Sequence, residues 1–495
     1  MTRMNKYFLL TALLGAVSTA YAQDAYDAQN FANSDLNGTA RFVGMGGAIG
    51  ALGGDISVMS TNPAGTGMYR SSDAAVSFSG VFAGDGAMGH DGSRMSFDQG
   101  GVLISFDMDT PTGDGLQFVN FGVNYQKKRN FLFNQKTNVG FLDDYYSQTY
   151  QIADLCNYAY ENNYWDRCTI ADLSATKDGV HGTILNEEVE YGYDGFPASS
   201  AYFEKATFGS NNQADVNVSF NVSDKFFIGA SVGVYDIEYT RESFYQEQGA
   251  TDGAVYDFTN WYKTEGDGFD VKLGFICRPI EDSPFRIGAY VHTPTWYRMT
   301  DANGATLYLN DQYISSASNS EYDYRYRTPW KFGVSLGHTI GQRFAIGAEY
   351  EFQDMGSMHY SEVDGIYSDY FRNQNDIIGE TLRGQHTLKV GAEYKPIEEL
   401  SFRVGYNFVS SPFKKDAFRT IGYDGAYTET DYTNWGNINR FTLGLGYRYK
   451  GGYVDLAWQY QAQKGDFYAF DNVGLPPTKV DANRSQLMAT LGFRF

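Results

Sequence analysis

Six histidines and three cysteines carry the metal-ligating and nucleophilic chemistry of this 495-residue chain, and their spacing assigns them neither role. His90, His181, His292, His338, His359 and His386 are scattered over loops and strands without paired spacing; for His90, His181 and His359 solvated loop histidine is the plainer reading, and no metal site is expected. Cys156 and Cys168 share one polar, Tyr-rich segment, where a local disulfide is favoured over free thiols in an oxidising compartment. Cys277 falls on the apolar face of an alternating run and reads as a small buried hydrophobe. There is no G-x-S-x-G and no local Ser/His/Asp signature, so neither an enzyme nor a bound cofactor is expected.

Charged residues are the other candidates. Asp270, Lys272, Arg286, Lys331, Glu349, Glu351, Lys389, Glu393, Arg403 and Arg448 carry both signs and share the non-apolar face of alternating runs. Mixed signs suit salt-bridged ladders better than a selectivity ring for one ion. The net charge of −21 argues against nucleic acid and against an anionic lipid surface as partners.

The elements that would position these groups are strands. Phe441, Leu443, Leu445, Tyr447 and Tyr449 alternate with Thr442, Gly444, Gly446, Arg448 and Lys450, and Trp330, Phe332, Val334 and Leu336 alternate with Lys331, Gly333, Ser335 and Gly337. Period two is the strand signature. From Asp73 onward such runs number about 14, with strands read at 211–222, 285–301 and 322–340 among others. Tight links such as Ser223-Asp224 and Gly451-Gly452 alternate with long ones, the largest at about 132–210, and that Tyr/Trp-rich segment is the expected capture loop. The expectation is an all-β, transmembrane antiparallel barrel spanning 73–495, apolar side out. A soluble β-sandwich would instead bury Val334, Leu443 and Leu491.

Residues 1–22 join Arg3 and Lys6 to an apolar run and Ala20-Tyr21-Ala22, the form of a signal peptide. Its removal takes two basic residues and no acid, moving the net charge from −21 to −23. Residues 23–72 do not alternate and hold Gly44, Gly46, Gly47, Gly50, Gly53 and Gly54. Ile49 stands where a dinucleotide fingerprint needs its third glycine, so compact permissive backbone is the better reading.

Arg41-Phe42-Val43-Gly44-Met45-Gly46-Gly47-Ala48, then Thr61-Asn62-Pro63-Ala64-Gly65 ahead of the first strand, about 14 strands and a terminal Phe495 together resemble the FadL/TodX family of outer-membrane transporters for long-chain fatty acids and other hydrophobic compounds. The resemblance implies an N-terminal hatch at 23–72 inside the lumen, with Asn62, Pro63, Ala64 and Gly65 in gating. It implies a Gram-negative outer membrane, contact with its lipid, a hydrophobic small-molecule ligand, and Phe495 as the signal to the barrel-assembly machinery. Relatives of this fold also suggest two alternatives, a scaffold or shuttle for exported proteins at the cell surface and haem uptake, for which axial histidines would be needed.

Overall fold

The computed structural model describes residues 23–108, 115–139, 142, 147–162, 186–189, 192–250, 255–280, 282–419, 428–470 and 474–495. In chain order the strands are β1 Asp73–Phe82, β2 Ser93–Asp107, β3 Leu116–Asn130, β4 Phe133–Asn138, β5 Asn186–Val189, β6 Gly192–Asp194 and β7 Ala198–Val222. They continue as β8 Phe226–Gly249, β9 Val255–Cys277, β10 Arg286–His292, β11 Trp296–Leu309, β12 Gln312–Arg327, β13 Lys331–Ile340 and β14 Phe344–Asp354. The last are β15 His359–Glu362, β16 Gly384–Tyr394, β17 Leu400–Val409, β18 Tyr432–Tyr449, β19 Gly452–Tyr468, β20 Thr478–Asp481 and β21 Arg484–Arg494.

Apart from the small β5–β6 pair, these strands form one antiparallel sheet. Five passes are interrupted, at β3/β4, β10/β11, β12/β13, β14/β15 and β20/β21, which leaves fourteen passes, as the alternation predicts. The ring closes where β1 pairs with β21, from Asp73 opposite Arg494 to Phe82 opposite Ser485. Closure removes the sheet edges that a membrane core cannot tolerate.

The apolar face points outward. Val334, Leu443 and Leu491 are 55%, 54% and 54% exposed, whereas Ser335 and Thr442 beside them are buried. An outer band of Phe, Leu and Val over an enclosed row of polar residues is the inverse of a soluble sandwich, and that alternative fails on it. Cys277 ends β9 on this outward face, half-buried rather than enclosed.

Several strands run further than the alternation shows. β7, β8 and β9 hold 25, 24 and 23 residues, where a tilted strand crosses the hydrocarbon in about 10. β7 starts at Ala198 rather than 211, and β11 and β12 meet in a hairpin at Asn310-Asp311, both with positive φ, where a long loop is expected from sequence. Beyond the apolar belt neither face is required to be apolar, so the period-two signal fades while the hydrogen-bond ladder continues.

Residues 23–72 form short capped pieces packed on the inward face of the strands. Helix α1 (Ala25–Ala32) is capped by Asp24, and α2 (Ala40–Gly44) by Thr39, whose hydroxyl accepts from the Phe42 N–H at 3.1 Å. Two 3₁₀ turns, Ile56–Ser60 and Pro63–Met68, follow. Wall glycines admit this backbone closely: a Cβ on Gly347 would lie 1.9 Å from the Ala48 carbonyl oxygen, and one on Gly391 2.2 Å from that of Met45.

Candidate functional site

Pro63 fixes φ at the start of the second 3₁₀ turn, and Asn62 caps it, its Oδ1 accepting from the Ala64 N–H at 3.2 Å. The same side chain, fully buried, donates from Nδ2 to the Gly50 carbonyl at 3.1 Å. The turn rests on glycines of β8 and β9: a Cβ on Gly229 would meet Pro63 at 2.4 Å, and one on Gly274 would meet Asn62 Oδ1 at 2.1 Å. Thr66 donates to Asn217 of β7 at 2.7 Å. Asn62, Pro63, Ala64 and Gly65 thus occupy one seat against β7–β9, with Ala64 buried against Phe227 and Ile276.

Part of the inward charge set forms the expected ladders. Lys272 reaches Asp215 at 2.8 Å and Asp270 at 2.6 Å, Lys389 reaches Glu349 at 2.7 Å and Glu351 at 2.8 Å, and Arg403 reaches Glu393 at 2.6 Å. Glu349 also accepts the Gly50 N–H at 3.1 Å, so a ladder grips the N-terminal segment directly. Lys331, Arg286 and Arg448 make no direct salt bridge to a carboxylate among the described residues.

A feature without a sequence motif lies between β2 and β3. Their pairing runs only from Gln99 opposite Gln126 to Asp107 opposite Phe118, and it ends beside Asp98, the extra residue where β2 bulges against β1. The edge of β3 beyond that point is taken by the N-terminal segment. The Asp35 N–H donates to the Lys128 carbonyl at 2.9 Å, Asn37 Nδ2 donates to the Lys127 carbonyl at 3.0 Å, and the Asn130 N–H donates to Asp35 Oδ2 at 2.9 Å. Asn37 also reaches Asp98 at 3.1 Å. Outside the gap, Phe97 and Tyr125 stack with centroids 5.3 Å apart.

Two cavities lie behind this strap, about 110 and 180 Å³, and Asn33, Ser34 and Asp35 line both. The larger one is mixed, with aromatic walls from Tyr26, Phe131, Phe133, Tyr239, Phe413 and Trp435 beside ten charged side chains, Asp27, Asp35, Arg241 and Arg484 among them. Asp35 is pinned by Arg484 at 2.9 Å. Burial raises its pKa, but Arg484, Arg129 and Arg440 outweigh it and hold the carboxyl below the usual range. At α1, Asp27 pairs with Arg241 and Asp24 with Arg419, both at 2.8 Å, and Arg241 also meets Glu429. Burial, with Asp24 and Glu429 adding their repulsion against the pull of Arg241, pushes Asp27 up to about 7.

The remaining candidates are dispersed. His90 meets Glu242, His292 meets the Thr61 carbonyl, His359 meets that of Ser357 and His386 meets Tyr350, and no cluster of metal-ligating residues occurs among the described residues. His181 and Cys168 lie outside the described residues, as do Tyr145, Tyr146, Tyr164 and Trp165 of the expected capture segment. Helix α3 (Gln148–Asn162), in that segment, buries Ile152, Leu155, Cys156 and Ala159 and leaves Tyr160 exposed. Phe495 exchanges backbone hydrogen bonds with Ser72, both at 3.0 Å.

No family model and no curated protein matches the chain. Solved structures do. The Pseudomonas putida toluene transporter TodX is 13% identical with a TM-score of 0.50, over 93% of this chain and 99% of that one. A deltaS2 mutant of the TodX monoaromatic hydrocarbon channel is 12% identical with a TM-score of 0.50, over 93% and 100%. The fold is that of TodX. A Pseudomonas aeruginosa FadL homologue also aligns, 12% identical, over 94% of this chain and 98% of that one, with a TM-score of 0.49. The TodX likeness runs end to end and so bears out, as architecture, the FadL/TodX-type barrel expected from Arg41–Ala48, Thr61–Gly65 and the strand count.

Proposed function

We propose that this barrel is an outer-membrane channel for passive passage of hydrophobic small molecules, without catalysis or bound cofactor. The observation that carries the reading is the strap: three hydrogen bonds made by Asp35 and Asn37 stand where β2 leaves β3 unpaired, with a cavity of mixed aromatic and charged lining on the inner side. The short-turn end, with both chain ends, faces the periplasm, and the long-loop end faces outward. Residues 23–72 serve as the hatch, seated through Asn62–Gly65. An apolar solute enters the larger cavity, the strap shifts off the β3 edge, and the solute leaves sideways between Phe97 and Tyr125 into lipid.

Size narrows the cargo. A cavity of about 180 Å³ holds roughly one aromatic ring, since cavities near 150 Å³ accept benzene. A long-chain fatty acid needs both cavities joined by movement of Asn33–Asp35. That TodX is named a toluene transporter and, for its deltaS2 mutant, a monoaromatic hydrocarbon channel supports the smaller cargo. Uptake of toluene and of a long-chain fatty acid into vesicles with a lipopolysaccharide outer leaflet, which resists apolar solutes where phospholipid does not, tests the proposal with the full-length protein. Rates equal to those of protein-free vesicles of the same kind for both solutes would sink it.

A further inference from the structure

The chain carries 59 acidic against 38 basic residues, yet its short-turn mouth is basic. A concavity of about 410 Å³ opens there, floored by Leu52, Gly53, Gly54 and Met68 of the N-terminal segment. Eight arginine and lysine side chains line it, and Glu393 is its single lining carboxylate. The pattern is built strand by strand. Arg286, Lys395, Arg448 and Arg494 each hold the last inward position of a row at this end of the barrel.

Compensation at the mouth is incomplete. Glu393 is shared among Arg403 at 2.6 Å, Arg41 at 3.5 Å and Lys395 at 3.6 Å, Arg403 also takes Asp455 at 2.5 Å and Arg41 takes Asp55 at 3.8 Å, Arg494 takes Asp73 at 3.3 Å, and Arg70 takes Asp224 at 2.8 Å. Among the described residues, Arg278, Arg286 and Arg448 make no direct salt bridge to a carboxylate, although Asp224 acts on Arg278 and Asp455 on Arg448 from further off. Arg286 donates once, to the Leu52 carbonyl at 2.8 Å, and the Nε atoms of Arg278 and Arg286 are enclosed with no acceptor. Crowded guanidinium groups with unused donors are costly unless an anion joins them, and their planar forks match tetrahedral oxyanions in bidentate fashion.

We propose that this mouth binds a multiply charged oxyanion of the phosphoryl class, held by Arg278 and Arg286 from one side and Arg448 from the other, above Arg41. The bound anion ties wall to N-terminal segment, because Arg41 belongs to that segment, where it donates to the Gly54 carbonyl at 2.8 Å, while Arg286 of the wall donates to the Leu52 carbonyl. A neutral apolar cargo has no use for these charges, so the site is independent of the transport reading. Its phosphate is either a soluble ester or the head group of an inner-leaflet phospholipid.

The test is calorimetric titration of the full-length protein in non-ionic detergent with inorganic pyrophosphate at fixed ionic strength. Saturable binding is expected, weakened about tenfold or more by Arg286→Gln and by Arg448→Gln, and unchanged by Arg372→Gln at the far end. Heat-modifiable mobility in gels confirms an intact barrel for each variant, and Arg278→Gln, on a turn, covers the case in which a strand variant fails to assemble. Absence of saturable heat, or equal affinity in all the mouth variants, overturns the proposal. In nanodiscs, loss of pyrophosphate affinity on replacing phosphatidylcholine by phosphatidylglycerol upholds the site and assigns it to a lipid head group, and retained affinity upholds it for a soluble phosphate.

Discussion

The Asp35 amide donates to the Lys128 carbonyl at 2.9 Å, the bond a neighbouring strand would otherwise make. A backbone hydrogen bond net of solvent is worth about 1 kcal/mol, and release of the strap must also break the ion pair of Asp35 with Arg484 at 2.9 Å. Wall integrity and N-terminal docking are therefore one equilibrium.

Asn37→Ala removes the bonds to Lys127 and Asp98 and leaves the buried Asp98 carboxyl without one of its donors, a loss of about 1–3 kcal/mol. Vesicles with a lipopolysaccharide outer leaflet that carry this variant should take up toluene faster than wild type with the barrel intact. Unchanged uptake would separate the strap from gating.

Gly229→Ala places a methyl group 2.4 Å from Pro63 backbone and must unseat the Asn62–Gly65 turn. The barrel should still assemble, but residues 23–72 should become protease-sensitive. Gly452→Ala, whose methyl group would find its nearest neighbour at 3.6 Å, should be silent.

Lys272, 1% exposed, bridges Asp215 and Asp270. Lys272→Met strands two buried carboxylates and should destabilise the barrel by about 3–5 kcal/mol, read as earlier loss of heat-modifiable mobility in denaturant. Lys272→Met combined with Asp215→Asn and Asp270→Asn should recover most of that loss.

Asp27 is raised from 3.8 to about 7 in the folded protein. A carboxyl raised on folding binds its proton more tightly in the native state, so its stabilising contribution is complete below about pH 4 and is lost as pH climbs through about 7. Hydrogen exchange of the α1 amides, divided by intrinsic rates, should show stronger protection at pH 5 than at pH 8. Asp27→Asn should flatten the difference, and equal protection in wild type at both pH values would refute it.

The ring of strands was legible because lipid imposes apolar residues on one whole face, as in Phe332, Val334 and Leu336. The Asn62-Pro63-Ala64 turn was visible for a local reason, proline and its cap. Past the belt that constraint lapses, so Ala198–Ser210 and the Asn310-Asp311 hairpin left no alternation to read. Asp35 and Asn37 were missed because they act through backbone partners more than 80 residues away, Lys127 and Lys128, and nothing in a polar run between two short helices announces that. Asp98, an inward acid displaced by one residue from the strand's alternation, was the one available sign.

Residues 23–72 lead straight into β1, and β1 is sealed by β21, whose Thr490 also accepts the Ala40 N–H at 2.7 Å. The N-terminal segment is thus bonded to the last strand, so a change that loosens the Ala40–Thr490 contact is felt at the junction where the two ends of the sheet meet.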